Sequence, residues 1–195
     1  KRVGRQIFDK ADRVICVSEY ERGLIARDFK LDQNKVSVIP NGLDRGEFQR
    51  CWERSGKPRK VILCVSRLEK YKGIDYVVKA LPKLDSQYRL EIVGTGPRRK
   101  ALEELASRLM VRDRVAFSDH LPRHELLRKY AGAGVFVLLS KYEAFGMTVA
   151  EALASGTPCI VAKTSALREW VDNENCFGID SVSYTHLTLP TNREV

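Results

Sequence analysis

The chain has 195 residues, 44% of them hydrophobic and 30% charged, which is the balance of an ordinary globular protein with room for one sizeable domain or a little more. Lys and Arg number 34 against 25 Asp and Glu, leaving a formal charge of +9 that favours anionic partners. No apolar run approaches the ~18 residues of a membrane span, and five scattered cysteines (Cys16, Cys51, Cys64, Cys159, Cys176) give neither an even disulfide framework nor the paired spacing of a zinc site.

The opening stretch, KRVGRQIFDKADR, has no apolar core of the signal-peptide kind, and with the lone thiols this points to a reducing, cytoplasmic setting. Residues 12–18 predict a short strand, 19–29 a helix with Ser18 as its N-cap, and 36–39 another strand ended by the turn Pro40-Asn41-Gly42. These are too few elements to make a sheet or close a core, so residues 1–44 are expected to pack on the domain C-terminal to them or to be loosely held. Residues 45–60, polar and holding Gly56 and Pro58, read as a linker.

Regular alternation begins at Val61. Strands are predicted over 61–66, 88–93, 115–117, 135–139 and 159–162. Helices are predicted over 73–84, 98–109 and 123–131, with a short one around 165–171. Apolar runs such as VILCVS and VFVLL are those of strands buried on both faces, and Cys64 and Cys159 fall inside such runs as core thiols. Strands alternating with helices at these lengths give an α/β fold: a Rossmann-like parallel sheet with helices on both faces. No element is assigned to residues 173–180, and the tail SVSYTHLTLPTNREV (181–195) has no helical period and a proline, Pro190, so it reads as non-native or disordered.

In such a sheet, ligands sit beyond the carboxyl ends of the strands. Arg67 and Lys72 share the loop after the first long strand; they suit a diphosphate, although loop cations are more often simply solvated. Gly94-Thr95-Gly96 turns the chain after the second strand, but Arg99 stands where a dinucleotide fingerprint needs its third glycine, which disfavours a nicotinamide cofactor. The segment Ser118-Asp119-His120-Leu121 follows the third, and His120 is given no role.

The most informative stretch runs from Ser140 to Gly156, SKYEAFGMTVAEALASG. Glu143 and Gly146 lie in the strand-to-helix loop, and Glu151 about one turn into the helix. By residue types alone this is either a phosphate site at a helix start with carboxylates for polyol hydroxyls on both flanks, or an ordinary strand–loop–helix unit with two solvated glutamates. Glu143 followed eight residues later by Glu151, around Phe145-Gly146 and before EALASGTP, resembles the E-x7-E motif of retaining GT-B glycosyltransferases of the family-four (glycosyl transferases group 1) type. The pattern Ser66-Arg67, four residues, Lys72-Gly73 is similar to that family's diphosphate loop, and the Pro-Asn-Gly turn to the close of its N-terminal domain.

The resemblance covers about residues 12–180. It implies the C-terminal, donor-binding half of a GT-B fold at 45–180, with 1–44 the remnant of an acceptor-side domain. It implies transfer of a sugar from a nucleoside diphosphate sugar, with retention, to an unknown sugar or lipid acceptor, without a metal or other cofactor. Catalytic roles fall to Glu143, Arg67 and Lys72, the first holding donor-sugar hydroxyls. Donor contacts fall also to Ser66, Gly94, Leu121, Phe145, Gly146, Met147, Thr148 and Glu151, the last on ribose hydroxyls. Ser118 departs from the family pattern, which has a glycine there, and leaves the base open. The basic excess hints at peripheral contact with anionic lipid at the inner membrane face; no basic motif interleaved with aromatics points to nucleic acid. Two other functions fit: a nucleotide-sugar-binding fragment without transfer, and a nucleotide-sugar epimerase of similar fold. A retaining hydrolase needs carboxyls ~5 Å apart, whereas eight helical residues would separate them by ~12 Å.

Overall fold

The computed structural model describes residues 7, 8, 10–52 and 60–180. The 181–195 tail lies outside the described residues, as do residues 53–59, which hold Gly56 and Pro58.

The main body is a six-stranded, all-parallel sheet in the order β5-β4-β3-β6-β7-β8, made of β3 (Val61–Val65), β4 (Arg89–Val93), β5 (Val115–Ser118), β6 (Val135–Leu138), β7 (Cys159–Ala162) and β8 (Cys176–Ile179). The central strands are the continuous apolar runs. All four residues of β7 are buried, as are Ile62, Leu63, Cys64 and Val65 of β3, because helices cover both faces. On one face α3 (Ile74–Ala80) packs against α4 (Arg99–Arg108). On the other α5 (Arg123–Gly132) packs against α6 (Met147–Ala154). This is the Rossmann-like α/β architecture expected. Cys64 and Cys159 are core thiols, and burial pushes the Cys64 thiol up to about 12.

Three expectations are overturned. Residues 45–52 are not linker but helix, α2 (Arg45–Trp52). Asp44 accepts from the amide of Gly46 at its start, and Phe48 is buried against α5 and α6. Residues 176–179 form β8, an edge strand with Cys176 directly opposite Cys159. And the N-terminal segment does make a sheet, of two strands: β1 (Val14–Cys16) pairs in parallel with β2 (Val36–Val38), over a small cluster of Val14, Cys16 and Val36. Between them lies α1 (Glu19–Phe29), N-capped by Ser18 as expected and ended by Lys30 in the left-handed region.

Candidate functional site

The sheet runs outward from β3 to β4 and β5, then returns to add β6, β7 and β8 on the other side of β3. The order therefore reverses between β3 and β6, and their two C-terminal loops flank the crevice that opens there. Those loops are residues 66–73 and 139–146, the two that carry the predicted cations and the predicted carboxylate.

The first loop is braced on both sides. Leu68 N–H donates to the Thr95 carbonyl at 2.8 Å, and the Leu68 carbonyl accepts from Arg98 at 3.0 Å. On the other side Lys141 N–H donates to the Tyr71 carbonyl at 2.8 Å. Gly94, with a positive φ of 142°, lets this packing occur: a Cβ there would overlap the carbonyl oxygen of Ser66.

Lys72 and Glu143 meet across the crevice, Nζ to Oε1 at 2.5 Å, with side chains only 11% and 17% exposed. The same carboxylate oxygen accepts from Ser140 Oγ at 2.7 Å. Glu143 N–H donates to Ser165 Oγ at 2.9 Å, and Trp170 Nε1 donates to the Phe145 carbonyl at 2.6 Å. The Phe145 and Trp170 rings meet edge-on at 5.2 Å. Glu143 is thus held by its side chain and by its backbone. Tyr71, which carried no signal in the sequence, sits between the two cations: its hydroxyl accepts from Arg67 Nη2 at 2.7 Å and its ring lies 5.0 Å from Lys72 Nζ.

Gly146 starts α6 with a φ of 95°, packed so that a Cβ would come within 3.0 Å of Leu167 Cδ2. The amides of Val149 and Ala150 bond back to the Gly146 carbonyl, so the helix ladder begins there. The amides of Met147 and Thr148 come before the ladder and carry the positive end of the helix dipole. A cleft of about 230 Å³ opens at the C-terminal ends of β3, β4 and β5, lined by Ser66, Arg67, Gly94, His120, Leu121 and Leu126 among others. Four of the predicted donor contacts, Ser66, Arg67, Gly94 and Leu121, share its walls.

Glu151 belongs to a different network. Its Oε1 accepts from Arg123 Nη1 at 2.5 Å and its Oε2 from Tyr130 Oη at 2.9 Å. The remaining fork of Arg123 grips Glu47 of α2 at 3.1 and 3.0 Å, and its guanidinium lies 5.3 Å from the centre of the Phe48 ring. Hydrogen bonds to Glu47, then to Glu151, raise the Arg123 pKa, while burial and the Glu151 charge push the Tyr130 hydroxyl up. The structure therefore brings Lys72 to Glu143, and Arg67 to the cleft, but ties Glu151 to α5. Glu47, Arg123 and Tyr130 were missed; Arg123 opens a basic run that reads as solvated surface.

Two cations, a fixed carboxylate and a helix start around one crevice suit a polyanion that carries hydroxyls. Among the described residues no group of three or more His, Cys, Asp or Glu side chains could hold a metal ion, and no helix is long and apolar enough to cross a membrane.

Residues 47–187 match the family described as glycosyl transferases group 1, and residues 1–47 match glycosyltransferase family 4. An uncharacterized glycosyltransferase of Methanocaldococcus jannaschii is 35% identical over 175 residues, covering 83% of this chain and 45% of that protein. A GDP-mannose-dependent alpha-(1-6)-phosphatidylinositol monomannoside mannosyltransferase of Mycolicibacterium smegmatis is 33% identical over 185 residues, 86% of this chain and 48% of that one. The chain therefore spans about half the length of these relatives. Among solved structures, sucrose-phosphate synthase of Thermosynechococcus elongatus superposes with a TM-score of 0.80 at 26% identity, over 94% of this chain and 49% of that one. Anabaena HepE in complex with UDP and glucose gives 0.78 at 22%, over 92% and 52%.

Proposed function

The chain belongs to the glycosyl transferases group 1 family, and we propose that it supplies the donor half of a retaining, nucleoside-diphosphate-sugar-dependent glycosyltransferase. The observation that carries this is the Lys72–Glu143 contact at the point where strand order reverses, beside the Gly146 helix start.

A diphosphate leaving group gains negative charge as the glycosidic bond breaks. Cations and amides already in place lower that barrier, since they need not reorganise when the charge appears. Lys72 has three N–H donors and spends one on Glu143, so it can bridge the carboxylate and a phosphate oxygen at once. Arg67, on the wall of the adjoining cleft, adds a planar fork. The amides of Met147 and Thr148 add the helix dipole. In this reading the charge is met by these groups rather than by a metal ion. Glu143 orients the sugar through its hydroxyls, Glu151 takes the ribose, and the backbone around Leu121 takes the base. HepE, a protein of the same fold solved in complex with UDP and glucose, supports a nucleotide-sugar ligand. Transfer further requires an acceptor held in the same cleft, whose chemistry, sugar or lipid, these residues do not specify.

Isothermal calorimetry against UDP-glucose, GDP-mannose and ADP-glucose tests the proposal, repeated with Arg67→Ala. At least one donor binds, and the variant loses about tenfold or more in affinity. No heat with any of the three contradicts it.

A further inference from the structure

We propose that the N-terminus of α1 is a positioning element for Glu143, with Ser18 and Glu169 as its two contacts; this rests on the donor-site reading. Three consecutive residues of the Glu143 loop each have a backbone group held. Glu143 N–H donates to Ser165 Oγ, the Ala144 carbonyl accepts from Ser18 Oγ at 2.7 Å, and the Phe145 carbonyl accepts from Trp170 Nε1. Two of these partners come from the turn at Ser165–Trp170, and the middle one from the segment 126 residues earlier.

Those two supports are joined to each other. Glu169, in the same turn, accepts from the amides of Glu19 and Tyr20 at 3.1 and 2.7 Å, so a carboxylate caps the positive end of α1. Ser18 is 2% exposed, and its hydroxyl works twice: it donates to Ala144 and accepts from the amide of Glu21, the N-cap bond of α1. Seating α1 and fixing the centre of the Glu143 loop are therefore one event. A shift of α1 pulls on the Ala144 carbonyl and, through Glu169, on the turn that holds residues 143 and 145. The 66–73 loop has braces of its own at Thr95 and Arg98 and meets the Glu143 loop through the Lys72–Glu143 pair and the Lys141 amide on the Tyr71 carbonyl. The ring of contacts through Ser18 and Glu169 therefore acts on the carboxylate that meets the sugar and reaches the diphosphate contacts only through the Lys72–Glu143 pair, while Arg67 stays on a separately braced loop. In this way the N-terminal segment tells the donor site whether it is docked.

The test compares a nucleoside diphosphate with its sugar conjugate on the full chain. Calorimetry with UDP, GDP and ADP selects the tightest binder, which is then paired with UDP-glucose, GDP-mannose or ADP-glucose. Ser18→Ala and Glu169→Ala change the affinity for the diphosphate less than twofold and weaken the sugar conjugate about fivefold, and Ser18→Thr restores it. Two variants on opposite sides of the contact keep the test open if one fails to fold. Equal losses for both ligands mean a general structural role and overturn the inference, as does no change for either. A wild-type chain that binds none of the three diphosphates refutes instead the donor-site reading beneath it.

Discussion

Replacing Lys72 by Met removes the cation and keeps most of the stem. The Glu143 carboxylate, 17% exposed, is then left with Ser140 Oγ and no counter-charge. Breaking a fully buried ion pair from one side costs about 3–5 kcal/mol; the hydroxyl that remains and the partial exposure here lower this to about 2–3 kcal/mol. For a chain of this size that corresponds to a fall of about 4–12 °C in Tm. The double variant Lys72→Met/Glu143→Gln no longer holds a stranded charge and recovers at least half of the loss, a coupling of about 1–2 kcal/mol. Urea denaturation of the wild type, both single variants and the double measures it. Calorimetry on the single Lys72 variant reads the other role: losing one charge-assisted contact to phosphate, about 1.5–3 kcal/mol, weakens the diphosphate about 10- to 150-fold. A Lys72→Met protein as stable as wild type, or a double variant no more stable than the single, refutes the reasoning.

Three further outcomes are expected. Phe48→Ala empties a site that is 1% exposed beneath Arg123 and costs about 3–5 kcal/mol by chemical denaturation; a loss under about 1 kcal/mol would mean α2 is not docked on α5 and α6. Glu151→Ala abolishes the preference for a ribonucleoside diphosphate over its 2′,3′-dideoxy analogue, a factor of about 10–100 in the wild type, while a preference that survives removes Glu151 from the ribose site. Asp172 accepts from the amides of Cys176, Glu174 and Asn175, which hold its carboxyl at about 2, well below the usual carboxylate range. Because the folded-state pKa is depressed, its contribution is present above the ordinary carboxylate range and is lost as pH falls towards about 2. The amide resonances of residues 174–176 should titrate with that midpoint, and a midpoint near that of a free aspartate contradicts the assignment.

How much of the fold was legible in the sequence depends on how locally each feature is encoded. The strands β3, β6 and β7 are continuous apolar runs, and nothing but burial on both faces explains them. The start of α6 is written in Gly146, and the loops of Arg67, Lys72 and Glu143 in residues adjacent to those strands. By contrast α2 is only eight residues long, with Phe48, Cys51 and Trp52 too few to show a period; its helix is fixed by packing on α5 and α6, which lie some 70 residues away and more. Strand β8 is four residues with a glycine among them, and only the register with β7 makes it a strand. The partners of Glu151 were hidden for the same reason. Arg123 and Tyr130 lie 28 and 21 residues before it, and helix packing brings them to it. Tyr71 sits inside a motif whose spacing specifies only the residues around it.

The central claim is a diphosphate seated between the β3 and β6 loops. Co-crystallising the protein with whichever of UDP, GDP or ADP binds, and locating the two phosphorus atoms in the difference density, tests it most directly. The account predicts phosphate oxygens within hydrogen-bond distance of Lys72 Nζ and of an amide at the start of α6, with the guanidinium of Arg67 turned from Tyr71 towards them. Phosphates seated anywhere else on the chain, such as the groove between α3 and α4, with Lys72 still bound only to Glu143, would contradict it.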